Sequence, residues 1–142
     1  MQQEVLRAIY PLQWREEWSV GIPELDAQHR HLIELLDELV KCTRSGGSCG
    51  FSPKALNEIT RYAEGHLRRE ELVLRIRGYP GYTEHKAEHD AYRAQAASLQ
   101  LQYARRDVDV RIANFLTGWW RFHIRISDQR YARFFRCHPS SG

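Results

Sequence analysis

Residues 52–81 read SPKALNEITRYAEGHLRREELVLRIRGYPG. Ser52 is a helix N-cap, and Pro53 suits the first helical position, where its missing N–H costs nothing. Leu56, Ile59, Tyr62, Ala63 and Leu67 then recur at the three- and four-residue intervals of one helix face. His66 and Glu70 fall on the same face. The run continues towards Ile76 and breaks at Gly78-Tyr79-Pro80-Gly81. An apolar stripe that carries an imidazole and a carboxylate one turn apart is a poor core unless something pairs with both.

The flanking segments have the same period. Pro23 opens a first helix in which Leu25, Leu32, Ile33, Leu35, Leu36, Leu39 and Val40 repeat at helical spacing, fading at Thr43. Residues 44–50 are a Gly- and Ser-rich connection without the Lys-Ser/Thr of a phosphate cradle. Thr83 caps a third helix, which carries His85, His89, Tyr92, Ala96 and Leu99 and ends near Arg105. Asp107 or Asp109 caps a fourth, from Val110 past Trp119, Trp120, His123 and Ile124 to about Phe135. Residues 1–18 form an arm and 136–142 a flexible tail. Four helices with short connections predict an all-α, antiparallel up-down-up-down four-helix bundle, one domain over 1–142.

Composition supports an ordinary globular domain: 42% hydrophobic, 27% charged, formal net charge +3. The basic cluster Arg121, Arg125, Arg130, Arg133 and Arg136 reads as a solvated helix face that complements its own C-terminal dipole, not as a nucleic-acid footprint. No segment has the roughly 18 consecutive apolar residues of a membrane span, and the N-terminus lacks the pattern of a secretory signal. Three cysteines, Cys42, Cys49 and Cys137, argue for free thiols in a cytoplasmic protein, although a Cys42–Cys49 bridge across the short loop is compatible with the spacing. With His138 they make a poor zinc pattern.

The polar residues on the apolar faces carry the chemistry. Positions four apart on an α-helix differ by about 40°, so His66 and Glu70, or His85 and His89, can point at one ion. His123 and Asp128, five apart, differ by about 140°. That is a loose fit unless the helix is distorted there, and Ser127 is a candidate mark of such a distortion. A lone His29 would read as hydrogen-bonded core. Together with the other six residues it reads as a ligand. Five imidazoles and two carboxylates exceed the needs of one tetrahedral zinc and suit two ions with shared bridges, iron first. His31, two residues from His29, lies on another face and reads as exposed.

The order of motifs resembles the hemerythrin family, and within it the single-domain bacteriohemerythrins. The resemblance rests on Trp14, on Val20-Gly21-Ile22 and Leu25-Asp26-Ala27-Gln28-His29, and on His66-Leu67-Arg68-Arg69-Glu70-Glu71. It continues through Gly78-Tyr79-Pro80, His85 and His89, and Trp119-Trp120-Arg121-Phe122-His123-Ile124, with Asp128 and Tyr131 following. It covers about residues 14–135. It implies a non-haem di-iron protein with an oxo or hydroxo bridge. His85, His89 and His123 would bind one iron, His29 and His66 the other, and Glu70 and Asp128 both. It also implies reversible binding of O2, or of azide-like small anions, at the ion held by His29 and His66. Leu32, Leu67, Trp119, Trp120 and Ile124 would wall the oxygen pocket, and Tyr131 would support a ligand or bridge.

The chain departs from the family where Leu67 replaces a common Phe, Trp120 a common Leu and Leu74 a frequent Met. The first two changes oppose each other in volume, and Trp120 is expected to narrow the ligand's route. The resemblance implies oxygen storage, delivery or sensing. The alternative is a di-iron enzyme that reduces peroxide or nitric oxide. Its electron donor would be external, because the chain has no flavin, iron–sulfur or rubredoxin-like motif.

Overall fold

The computed structural model describes residues 12–44, 53–103 and 110–139. A single turn of 3-10 helix, Glu16–Trp18, precedes α1 (Pro23–Arg44), α2 (Pro53–Ile76) and α3 (Tyr82–Tyr103). The fourth helix has two α-segments, α4 (Val110–Phe122) and α5 (Asp128–Cys137), joined through a π-turn over His123–Ser127. Among the described residues there is no strand. Helix α1 packs against α2 and α4, and α3 closes the ring against the same two. This is the four-helix bundle expected from the periodicity.

The helix bounds follow local chemistry. Helix α2 ends in a Schellman motif: Tyr79 N–H donates to the Leu74 carbonyl at 2.9 Å and Gly78 N–H to that of Arg75 at 3.1 Å. Gly78 takes the required left-handed turn, with φ of +71°. Helix α3 starts at Tyr82, one residue before the expected cap Thr83. The Gly81 carbonyl already accepts the His85 N–H at 3.0 Å, so Gly81 takes the capping place. Helix α5 runs to Cys137, two residues beyond the expected end. The expected caps Ser52, Asp107 and Asp109, and the expected end at Arg105, lie outside the described residues.

The core has two parts. The larger contains Leu32, Ile33, Leu36, Leu39, Val40, Leu56, Ile59, Leu67, Ile112, Leu116, Trp120 and Ile124, with Trp119 packed at its edge. The smaller gathers Val20, Ile22, Leu25, Leu74, Tyr131 and Ala132. The segment before α1 is tied down through buried Asp26, which accepts the Val20 N–H at 2.8 Å and the Ser19 hydroxyl. Gln129 donates to the Trp18 carbonyl at 2.9 Å from the other side. Cys42 is disulfide-bonded, with its partner outside the described residues, which corrects the expectation of free thiols; Cys137 is free and exposed. No helix among the described residues is long and apolar enough to cross a membrane.

Leu36 is fully buried two turns beyond His29, in the apolar half of the core. Leu36→Ala is expected to cost about 2–5 kcal/mol of stability, through lost transfer energy and the cavity left behind. Urea unfolding measures it; a loss under about 1 kcal/mol would show that this layer is loosely packed.

Candidate metal centre

Between the two core clusters the four helices bring together the seven predicted residues. His29 comes from α1, His66 and Glu70 from α2, His85 and His89 from α3, His123 from the π-turn and Asp128 from the start of α5. All seven are buried, His85 being the most accessible at 5%. Their reactive atoms form two overlapping groups: Glu70, His85, His89 and His123, and His29, His66, Glu70 and Asp128.

The π-turn resolves the awkward spacing of His123 and Asp128. The Asp128 N–H donates to the His123 carbonyl, a bond across five residues. That wider turn brings i and i+5 onto one face, where an α-helix would leave them about 140° apart. The Asp128 Oδ1 lies 3.0 Å from His123 Nε2 as a result.

Each carboxylate divides its two oxygens between the two sets of imidazoles. Glu70 Oε1 lies 2.6, 3.1 and 3.4 Å from the Nε2 atoms of His85, His89 and His123. Its Oε2 lies 3.2 and 3.5 Å from those of His66 and His29. Asp128 repeats the division, with Oδ1 3.2 Å from His85 and Oδ2 3.1 Å from His29. Asp128 thus reaches both sets, although it groups most tightly with the second. The phenol of fully buried Tyr131 donates to Glu70 Oε2 at 3.0 Å and holds the carboxylate plane.

A further layer orients the rings. Nδ1–H of His66 donates to Gln28 at 2.7 Å, that of His89 to Glu71 at 2.7 Å, and that of His123 to Glu88 at 3.1 Å. These bonds place the hydrogen on Nδ1 and turn the Nε2 lone pair inward, the usual arrangement behind a metal-bound imidazole. Arg93 binds Glu71 at 2.8 Å and steadies it. Sequence reasoning missed Gln28, Glu71 and Glu88 in this role. Each is the chain neighbour of a central residue, beside His29, Glu70 and His89 respectively, and that adjacency was the available signal.

The inward lone pairs test whether a cation fits. The Nε2 atoms of His89 and His123 are 2.9 Å apart, and both rings have committed their Nδ1 hydrogens outward. Two lone pairs at that distance repel unless a proton or a metal ion lies between the rings and the carboxylates. His29 Nδ1 and both Asp128 oxygens, all buried, lack a properly directed hydrogen bond. The donor set therefore fits metal ions and is poorly satisfied by protein alone.

Without metal, protons carry the compensation. Burial disfavours charge on His29 and His85, but Asp128 and Glu70 outweigh it and raise both to about 9. His123 is raised for the same reasons, against its burial. Burial, helped by neighbouring His29, keeps His66 low despite Glu70. Glu70 and Asp128 are held below the ordinary carboxylate range by the surrounding imidazoles, which overcome desolvation. The hydrogen bond from His123 takes Glu88 to about 2.

The outer predicted residues are placed as follows. Leu32, Leu67, Trp120 and Ile124 are buried in the larger core cluster and Trp119 is half-buried beside it. The Trp120 ring is 5.7 Å from His66, and the Trp119 ring stacks on His123 at 4.5 Å. His31 is exposed against Tyr62, away from the cluster.

A histidine raised from 6.5 to about 9 stabilises the fold fully below pH 6.5, and that contribution is lost as pH rises through 9. The metal-free chain is therefore expected to lose stability between those values. A metal-loaded chain, whose imidazoles are already deprotonated, should not follow it. Urea midpoints with and without chelator test this; a metal-free midpoint that is flat or rises over the window refutes it.

Comparison with known proteins agrees with this geometry. A family model described as the hemerythrin HHE cation binding domain matches residues 20–135. A bacteriohemerythrin of Stenotrophomonas maltophilia is 30% identical over 140 residues, covering 92% of this chain and 91% of that one. One from Clostridium acetobutylicum is 28% identical over 124 residues, covering 83% and 96%. A hemerythrin-like protein of Naegleria gruberi is 29% identical over 121 residues, covering 85% and 91%. No solved structure matched at a significant level. The chain belongs to the hemerythrin family and carries its cation-binding domain.

Proposed function

We propose that the chain holds two iron ions and binds O2 reversibly. His85, His89 and His123 would hold one ion, His29 and His66 the other, with Glu70 and Asp128 shared. The observation that carries this is the division of each carboxylate's oxygens between the two sets of imidazoles. Five nitrogens and two carboxylates make a mixed N/O set that suits iron. With a solvent-derived oxo or hydroxo bridge, an ion held by His29 and His66 would have one protein donor fewer than one held by His85, His89 and His123. That is the place for O2 or an azide-like anion. When bound, such a pair supplies two one-electron ferrous/ferric couples and a coordination position for O2.

The chain's own residues would make the binding reversible. Leu32, Leu67, Trp120 and Ile124 exclude water, so a bound anionic ligand lacks a ready proton source. Trp120 spends its one hydrogen-bond donor on Tyr92 Oη at 3.1 Å. It therefore offers His66 ring carbon and no N–H. Tyr131, through its hydrogen bond to Glu70 Oε2, would hold that carboxylate in the orientation in which it could be shared by two ions.

The test is to load iron anaerobically, expect about two per chain, admit air, and follow a visible charge-transfer band. A band that vanishes under vacuum and returns with air supports a carrier or sensor. Rapid, irreversible passage to the ferric state, with no band that returns with air, refutes reversible binding.

Trp120 is fully buried against His66. Trp120→Leu is expected to speed azide binding to the ferric protein in stopped flow, compared at a temperature where both forms are folded. Equal rates would remove Trp120 from control of access.

A further inference from the structure

Trp119 occupies a place that oxygen binding alone does not explain. Its indole stacks on the His123 ring with centroids 4.5 Å apart and planes 14° apart. It also lies 6.4 Å from the ring of His89. Both imidazoles belong to the three-histidine set. Unlike Trp120, which is fully buried, Trp119 is half-buried, so the residue is partly open to solvent. The Tyr92 ring packs on it with centroids 4.3 Å apart, and Phe115 stacks on Tyr92 at 5.7 Å. Trp119 is thus an oxidisable side chain that touches two of the central imidazoles and is also partly open to solvent.

We infer that Trp119 is an electron relay between the centre and an external one-electron reductant, serving the reduction of hydrogen peroxide. The inference rests on the two-iron reading above. Indole gives up an electron more readily than the aliphatic walls of the pocket. Parallel contact with His123 couples it to the centre, because electron transfer falls off steeply with distance. One hydrogen peroxide takes two electrons and two protons, its O–O bond breaks, and two waters form. The protons come from water. The electrons come singly from a reductant of the ascorbate class. Trp119 passes an electron to the oxidised centre, is left as a radical cation, and regains an electron from the reductant, which reaches it where the residue is open to solvent. Tyr92 and Phe115 hold the indole flat against His123.

Trp14 supplies an internal control. It is half-buried like Trp119, but lies in the N-terminal segment, against Trp18 and under Arg30. Iron-loaded protein of confirmed metal content is treated with hydrogen peroxide without reductant, digested, and mapped by mass spectrometry. Trp119 is expected to carry most of the added oxygen, and Trp14 to stay at the level of a zinc-loaded control. Ascorbate should suppress the modification of Trp119. Trp119→Phe keeps the stacking, and should lose most ascorbate-dependent peroxide consumption at unchanged iron content. Equal oxidation of Trp14 and Trp119, or equal oxidation of Trp119 in the zinc form, overturns the relay and leaves the two-iron reading standing. Failure to hold iron, seen before peroxide is added, overturns that reading and the relay with it. Where Trp119→Phe does not fold, the wild-type oxidation map decides alone.

Discussion

The structure depends on keeping five imidazoles and two carboxylates dry at its centre. A buried polar group is costly unless it is paired, and a buried charge more so. Here the groups pair with one another, and Gln28, Glu71 and Glu88 take the outward hydrogens. The arrangement still leaves inward lone pairs and two carboxylate oxygens that call for cations. Each of the four helices must therefore stand at the correct rotation and height, since each contributes at least one donor. The apolar half of the bundle, from Leu36 and Leu39 outwards, supplies the rigidity that holds those rotations.

Much of this was legible in the residues. The 3.6-residue period of Leu25 to Val40 and of Leu56 to Leu67 predicted α1 and α2, and the residue pairs four apart predicted which polar groups converge. The tight turn after Ile76 was visible in Gly78 and Pro80. What escaped is instructive. Helix α3 begins at Tyr82 with Gly81 in the capping place, and no oxygen-bearing side chain there marks the start in the sequence. Gln28, Glu71 and Glu88 were hidden because they point sideways, towards rings on other helices. Such contacts depend on how helices pack against one another, which a one-dimensional pattern does not encode. The disulfide at Cys42 went against the expectation of free thiols, although the short loop had left a bridge open, because an odd cysteine count argues about compartment, not about geometry.

The two neighbouring tryptophans show how one helix edge serves two purposes. Trp120 is enclosed and hydrogen-bonded to Tyr92, with no part open to solvent. Trp119, one residue back and about 100° around the helix, lies on the boundary between core and solvent. Around the central imidazoles, the rings of Trp119, Trp120 and Tyr131 pack against His123, His66 and His85.

The π-turn at His123–Ser127 acts as a phase shifter for the whole fourth helix. Upstream of it, Ile112, Leu116 and Trp120 face the larger core cluster. Downstream, Tyr131 and Ala132 face the smaller one. A regular α-helix would carry a single stripe through both, at a slowly drifting angle. The extra residue in the turn resets the rotation between them, so the two cores are indexed independently on either side of the seven buried polar residues. Substitutions that adjust one layer therefore need no matching change in the other, provided the count of residues between His123 and Asp128 is kept.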